Sequence, residues 1–430
     1  MEIIKYPTKG SWEVLLQRAT QSVSDIEDVV ADVFENVKRK KDAAIKSYTK
    51  KFDGVLLDDI VVTEKEFEEG VSLVGQDLKE AIRLAKSNIE KFHSAQGFEA
   101  KRITTSRGVV CWQETRAIND VGLYIPGGSA PLFSTVLMLV CPAKIAGCKN
   151  IVLCSPPNKE GKIHPAILYT AQLCGVSKVL KVGGIQAIAG MTFGTATIPK
   201  VSKIFGPGNQ FVTVAKQLAT KYGVAIDMPA GPSELLVVAD ESANPAFVAS
   251  DLLSQAEHGA DSQVICVSTS EKVLENIGVE IFVQLQKLPR KEVAEKAIAN
   301  SKLILVENDA IALELINEYG PEHFIVCTSN NNFYCQGIEN AGAVFLGNYT
   351  PESAGDYASG TNHTLPTNGY TKAYSGVNLN SFQKTISFQK ISEKGIQQIG
   401  PSIEIMADAE GLFAHKNAVT LRLNSLKNKN

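Results

Sequence analysis

The sequence predicts an α/β protein made of two incomplete Rossmann-like parallel-sheet domains facing a cleft, with helical tail segments at the N- and C-termini. From about residue 120 onward, short β-branched runs alternate with helix-compatible stretches and glycine-rich turns, the rhythm of parallel strands joined by crossover helices. The runs come in two series of similar texture, which makes two α/β units with a ligand cleft between them. At 430 residues the chain is also too long for one ordinary core.

Residues 25 to 52 place Val29, Val30, Val33, Phe34 and Val37 at helical spacing and close on Phe52-Asp53-Gly54, an amphipathic opening. The first strand series is Val121 to Ile125, Ile151 to Cys154, Val179 to Val182, Lys203 to Phe205 and Leu235 to Ala239, with helices over Phe133 to Ala146 and Asn209 to Tyr222. The second is Val264 to Ser268, Leu303 to Val306, Phe324 to Cys327 and Ala343 to Leu346. After about residue 378 the pattern is polar and helical, through Ile403 to Leu426. That piece is too small for its own core and is expected to dock on something, a neighbouring subunit included.

Composition narrows the function classes. A chain 44% apolar and 21% charged is globular. Its net charge of −3, with one short basic run at Lys38-Arg39-Lys40-Lys41, leaves no electrostatic footprint for nucleic acid or an acidic membrane. The first ten residues lack a basic start and an apolar h-region, and no stretch of about 18 apolar residues occurs, so the protein is expected in the cytosol. Eight cysteines form no C-x-x-C pair and read as reduced small hydrophobes. Cys148 could trap an aldehyde as a nucleophile, but no His or Asp lies near it in sequence, which favours a structural thiol.

The histidines carry the chemistry. Of six, His93 and His164 sit in plain surroundings, whereas His258, His323, His363 and His415 have carboxylates or amides close by. A helix opening at Pro245 and ending at Gly259 puts Gln255 and His258 in its last turn, on one face, where an amide oxygen and an imidazole can bind one cation; a histidine there also serves the helix dipole. Residues 351 to 363, dense in polar groups and small residues, read as an ordered functional loop in which Asp356 is a possible ligand and His363 a proton-transfer or substrate-binding group. The alternative is a loop capped by its own side chains. Glu410 and His415 add another carboxylate and imidazole. Gln255, His258, Asp356 and His415 together would make a thiol-free N2O2 set suited to zinc. Glu322-His323, placed at a strand edge after Gly320-Pro321, fits two separate proton transfers, or is a surface pair. A G-x-G-x-x-G fingerprint is missing, but three glycine turns follow strands, at Pro126-Gly127-Gly128-Ser129, Gly183-Gly184 and Gly206-Pro207-Gly208-Asn209, each able to bring backbone N–H groups to a phosphate.

Taken together, Gly122 to Gly128, Phe205 to Asn209, Asp227 to Glu234, Gln255-Ala256-Glu257-His258, Pro321-Glu322-His323, residues 351 to 363 and Glu410 to Arg422 resemble the histidinol dehydrogenase family over nearly the whole chain. The resemblance implies zinc ligands at Gln255, His258, Asp356 and His415, an acid/base pair at Glu322 and His323, NAD contacts at Tyr124, Gln186 and Asn209, and substrate contacts that include Ser233, His363 and Glu410. It also implies a homodimer whose C-terminal tail completes the partner's site. The expected organisation is an N-terminal tail (1–19), a zinc and catalytic α/β domain (20–123 with 235–377), an NAD-binding α/β domain (124–234) and a C-terminal helical tail (378–430). Gly259-Ala260-Asp261 departs from the family, where an acidic residue and a proline more often follow the histidine, and puts only local turn geometry in question. Rival readings are oxidation of another polar alcohol, such as a sulfonated diol, and a zinc hydrolase using Glu322 without a nucleotide.

Overall fold

The computed structural model describes residues 1–18, 24–127, 130–176 and 178–427; Gly128 and Ser129 of the first glycine turn lie outside them. The chain forms two compact units, Met1–Ala95 with Ile118–Ser381 and Gln96–Ala117 with Phe382–Asn430.

The first unit holds two all-parallel sheets. One has five strands, in the spatial order Val179–Lys181, Asn150–Ser155, Asp120–Tyr124, Lys203–Phe205, Ala225–Ile226. The other has six, in the order Ile3–Lys5, Lys302–Leu305, Gln263–Ser268, Glu234–Ala239, His323–Cys327, Ala343–Leu346. In each, the chain lays its first crossover strand centrally, adds two to one side, then returns to add two on the other. This is the Rossmann-like winding that the alternation of strands and helices predicts. The short N-terminal strand Ile3–Lys5, which the sequence did not reveal, merely extends one edge.

Central strands in this arrangement are covered on both faces and therefore read as continuous apolar runs. In Glu234–Ala239, Leu235 and Val237 enter one core and Leu236 and Val238 the other, because successive side chains point to opposite faces. Each such side chain, fully buried, contributes about 1.5–3 kcal/mol of transfer free energy. The helices Ser24–Lys40, Asp42–Asp53, Glu64–Leu73 and Gln76–Ser94, grouped by the sequence reading with residues 235–377, pack on the helices of the five-stranded sheet. Val30, Val33, Phe34 and Val37 share a core with Ile188 and Val212.

The C-terminal tail is not wholly helical. Gln383–Ile391 is a strand, antiparallel to Val109–Ala117, which pairs in turn with Ile103–Ser106. The helices Glu393–Ala409 and Phe413–Lys427 follow and pack on each other. Apart from Val109 to Trp112 these strands are polar and largely exposed, so no apolar run marks Gln383–Ile391 as a strand; a cross-strand pair, Phe388 stacked on Trp112 at 5.4 Å, anchors the register.

The turn after Lys203–Phe205 is held by a buried ion pair. Gly206 donates its N–H to Asp227 Oδ2 at 2.7 Å, its carbonyl accepts from Lys216 Nζ at 2.8 Å, and Lys216 and Asp227 touch each other. Lys216→Met leaves the Asp227 carboxylate buried without its cation and is expected to cost about 3–5 kcal/mol, whereas adding Asp227→Leu recovers much of that loss. Urea denaturation midpoints of the two variants check this; a single variant as stable as the parent would show that the pair holds nothing.

Candidate functional site

Glu234 opens its strand, and Glu322 stands directly before the neighbouring strand His323–Cys327. The helix Pro245–Ala256 runs back to this same end of the sheet and delivers Gln255 in its last turn. The main chain of Glu234 joins these elements. Its N–H donates to Glu322 Oε2 at 2.8 Å, and its carbonyl accepts from Gln255 Nε2 at 3.2 Å and from His323 Nδ1 at 3.2 Å. Gln255 also donates to Glu322 Oε2 at 3.3 Å. Glu322, His323 and Gln255 are all buried. Gln255 Oε1 and His323 Nε2 are buried with no hydrogen-bond partner among the described residues, a costly state for a polar atom unless something occupies the space it faces.

His258 is not in the last turn of the helix, as its spacing predicted. The helix closes at Ala256; then the His258 N–H reaches back only to the Gln255 carbonyl, at 3.3 Å. The chain has tightened into a three-residue turn, and His258 is exposed. Residues 351 to 363 also differ from the expected loop, since Glu352–Tyr357 is helical. Glu352 and Asp356 lie one turn apart on it, and ligand atoms of His258, Glu352 and Asp356 fall within 4.8 Å of one another.

Glu352 was missed by the sequence reading, where an acid after a proline looks like an ordinary helix start. It is almost wholly buried, it accepts a hydrogen bond from Ser254 Oγ at 3.3 Å, and burial holds its carboxyl well above the usual range. Asp251, also missed, is pushed up to about 7 by burial. Burial would raise Asp356 too, but His323, 3.6 Å from Oδ1, outweighs it and holds that carboxyl below its ordinary value. For His323, burial disfavours the charged ring, yet Glu322, Glu352 and Asp356 win and hold it well above the ordinary imidazole value.

His363 stands beside this cluster with both ring nitrogens engaged, Nδ1 with the Asp356 carbonyl at 2.9 Å and Nε2 with Thr135 Oγ1 at 3.1 Å. Burial lowers its pKa. Its neighbour Asn362 donates to the Met138 carbonyl at 2.6 Å. Ser233 directly precedes Glu234 and is half-buried. Glu410 and His415 belong to the second unit, where both are exposed. His93 is buried and bonded to the Ile89 carbonyl, a structural role, whereas His164 lines the cavity described next.

A cavity of about 550 Å³ opens at the carboxyl ends of the five-stranded sheet. Tyr124, Gln186 and Asn209 all line it, with Asp53, Gly127 and Gly184. Tyr124 ends the central strand and Gly206 follows the strand on its other side, so the cavity sits where the winding reverses direction, the usual ligand position of open α/β sheets. Tyr124 Oη accepts from the Gly184 N–H at 3.1 Å, Asn209 caps the next helix through Oδ1, and Gln186 Oε1 is buried and unpartnered among the described residues. Glycine is required at 206, where φ is +128° and a Cβ would lie 2.1 Å from the Tyr124 carbonyl oxygen. Asp53, read from sequence only as a helix end, is raised to about 6 by burial.

A family model described as histidinol dehydrogenase matches residues 16–423. A histidinol dehydrogenase of Bacteroides thetaiotaomicron is 58% identical over 427 residues, covering 99% of this chain and all of that protein. One from Pectobacterium atrosepticum is 52% identical over 96% of the chain and 93% of its own length. The crystal structure of histidinol dehydrogenase from Elizabethkingia anophelis superposes with a TM-score of 0.97 at 56% identity, covering 99% of both chains.

Cys148 carries no nucleophilic chemistry in this setting. It is buried, and burial pushes its thiol up to about 11, far from the thiolate that attacks aldehydes. Titration of the native protein with a chromogenic disulfide at neutral pH is expected to consume exposed Cys335 first and Cys111 more slowly, with the six buried thiols appearing only in denaturant. Fast modification of Cys148 by peptide mapping would contradict this.

Proposed function

The chain belongs to the histidinol dehydrogenase family of oxidoreductases, and from that membership we propose that it oxidises L-histidinol through bound histidinal to L-histidine, the last step of histidine biosynthesis, using zinc and two NAD. The observation that carries the reading is the convergence of a buried Glu322–His323 pair on Gln255, His258 and Asp356, with two buried polar atoms left over. The unpartnered Gln255 Oε1, an imidazole and a carboxylate make a hard, thiol-free donor set that suits zinc. When bound, zinc supplies a Lewis-acid hold on the substrate's imidazole and amino groups, and NAD in the cavity accepts the hydrides.

The chain's own residues handle protons and position. The Glu234 carbonyl can only accept, so His323 Nδ1 carries a hydrogen; a cation bound beside Glu352 and Asp356 would offset the charges that hold the ring protonated and so free the Nε2 lone pair to take the alcohol proton. The described hydrogen bonds of Glu322 fall on Oε2, which leaves Oε1 to draw a proton from the water that adds to the aldehyde. The resulting gem-diol loses a second hydride and two protons to give the carboxylate. Ser233, His363 and Glu410 are assigned to substrate contact. Two chains pair on this reading, and the partner subunit's His415 and the partner subunit's Glu410 complete each site. Exposed Ile405, Met406, Phe413 and Leu421 on the tail helices support a covered face there.

The test is NADH absorbance with histidinol and NAD, with and without a chelator. Two NADH per histidinol, lost on chelation and restored by zinc, is the expected result; one would mean an ordinary alcohol dehydrogenase and none would favour a hydrolase. Glu322→Gln should slow oxidation of supplied histidinal by about 10²–10⁴-fold and the alcohol step far less, and equal losses in both would remove the division of roles.

A further inference from the structure

Arg18 lies in the short N-terminal segment that the sequence reading treats as a tail, yet its side chain is only 16% exposed. It grips Glu234, 216 residues away, as a fork, Nε to Oε1 at 2.5 Å and Nη2 to Oε2 at 2.9 Å. Nη2 also donates to the Tyr319 carbonyl at 2.8 Å, and the guanidinium lies 4.0 Å from the centre of the Tyr319 ring. The Asn368 N–H completes the shell of the Glu234 carboxylate at 2.6 Å.

Each end of this clamp leads to the acid/base pair. Glu234 uses its side chain for Arg18 and its main chain for Glu322, His323 and Gln255. Tyr319 precedes the left-handed turn at Gly320, with φ of +61°, from which Pro321 leads into Glu322. One guanidinium therefore holds both stretches of backbone whose separation sets where Glu322 and His323 point. A buried ion pair is by itself a weak source of stability and is often replaceable by apolar side chains; this one sits where a small displacement moves proton-transferring atoms.

We propose that Arg18 is a positioning residue for Glu322 and His323, clamping the Glu234 carboxylate and the Tyr319 carbonyl so that the Glu234 backbone presents its hydrogen bonds to the acid/base pair. The proposal rests on the reading of Glu322 and His323 given above. It is tested in the full-length, metal-loaded enzyme with Arg18→Gln, Arg18→Lys and Glu234→Gln. Arg18→Gln is expected to lower kcat for histidinal oxidation by about 10–100-fold, with the KM for histidinal and the zinc content within about twofold of the parent. Arg18→Lys, which keeps the charge without the fork, should recover part of the loss. In a Glu322→Gln background the same change should cost the aldehyde step little more, because the group being positioned is already gone.

An unchanged kcat in folded Arg18→Gln overturns the proposal, as does an undiminished effect in the Glu322→Gln background or a loss that only tracks lost zinc. If Arg18→Gln does not fold, full kcat in both Arg18→Lys and Glu234→Gln overturns it instead. A parent enzyme that makes no NADH from histidinol refutes the underlying reading, whereas a working parent indifferent to Arg18 refutes only the clamp.

Discussion

Several carboxylates are gathered in one low-dielectric place. Glu234, Glu322, Glu352 and Asp251 are buried and Asp356 is nearly so, and an uncompensated charge in such a place costs several kcal/mol. The structure meets this in three ways. Arg18 neutralises Glu234, His323 lies between Glu322 and Asp356, and burial drives Glu352 and Asp251 toward their protonated forms. A divalent cation among His258, Glu352 and Asp356 would be a further way, converting the repulsion into coordination. Neutral oxygen and imidazole donors such as Gln255 and His258 then complete the shell without adding to the repulsion.

The two sheets of the first unit wind alike but use opposite ends. In the five-stranded sheet, the lining residues follow the carboxyl ends of the strands, where the helices Gly184–Phe193 and Gln210–Lys221 begin. Helix N-termini present free N–H groups and partial positive charge, which suits phosphates. In the six-stranded sheet, Glu234 and His323 stand at the amino ends of their strands, where the helix Pro245–Ala256 finishes. A helix C-terminus presents carbonyls and partial negative charge, which suits a cation. One winding therefore provides an anion-favouring end and a cation-favouring end, and the proposed NAD and zinc fall each on the end whose polarity fits.

Legibility in the sequence followed from how local each signal was. Strands such as Asn150–Ser155 and Gln263–Ser268 were readable because burial on both faces leaves only apolar runs. Gln255 with His258, and Glu322 with His323, were readable because neighbouring residues of contrasting chemistry stand out against apolar surroundings. Gln383–Ile391 was not, since a half-exposed strand whose partner lies far away in the chain resembles any polar segment. The helix Glu352–Tyr357 was hidden by the glycine, serine and proline of its own stretch, residues that locally favour turns. Glu352 and Arg18 were invisible for a stronger reason. Each acts on residues distant in sequence, and nothing in a lone acid or a lone arginine says which buried group it will meet.

The proposed hydride transfer would require the spacing of the two sites to be held, and residues 356 to 363 tie the carboxylate cluster to a helix of the five-stranded sheet. The segment leaves Asp356, one of the clustered carboxylates, and within seven residues is bonded to the helix Phe133–Ala146, through His363 to Thr135 and through Asn362 to the Met138 carbonyl. That helix follows Tyr124 of the five-stranded sheet and is buried along most of its length. Asn88 adds a third tie, donating to the Ala358 carbonyl at 2.8 Å. Burial disfavours protonation of His363, and the neutral ring donates from Nδ1 to the Asp356 carbonyl and accepts at Nε2 from the Thr135 hydroxyl. A protonated ring would instead donate from Nε2 to the Thr135 hydroxyl oxygen, so the same imidazole joins the two elements in either form. On the proposed reading, a substrate group that bonds to His363 would share or displace the Thr135 hydroxyl, which would link occupation of the carboxylate-lined site to the helix that follows Tyr124.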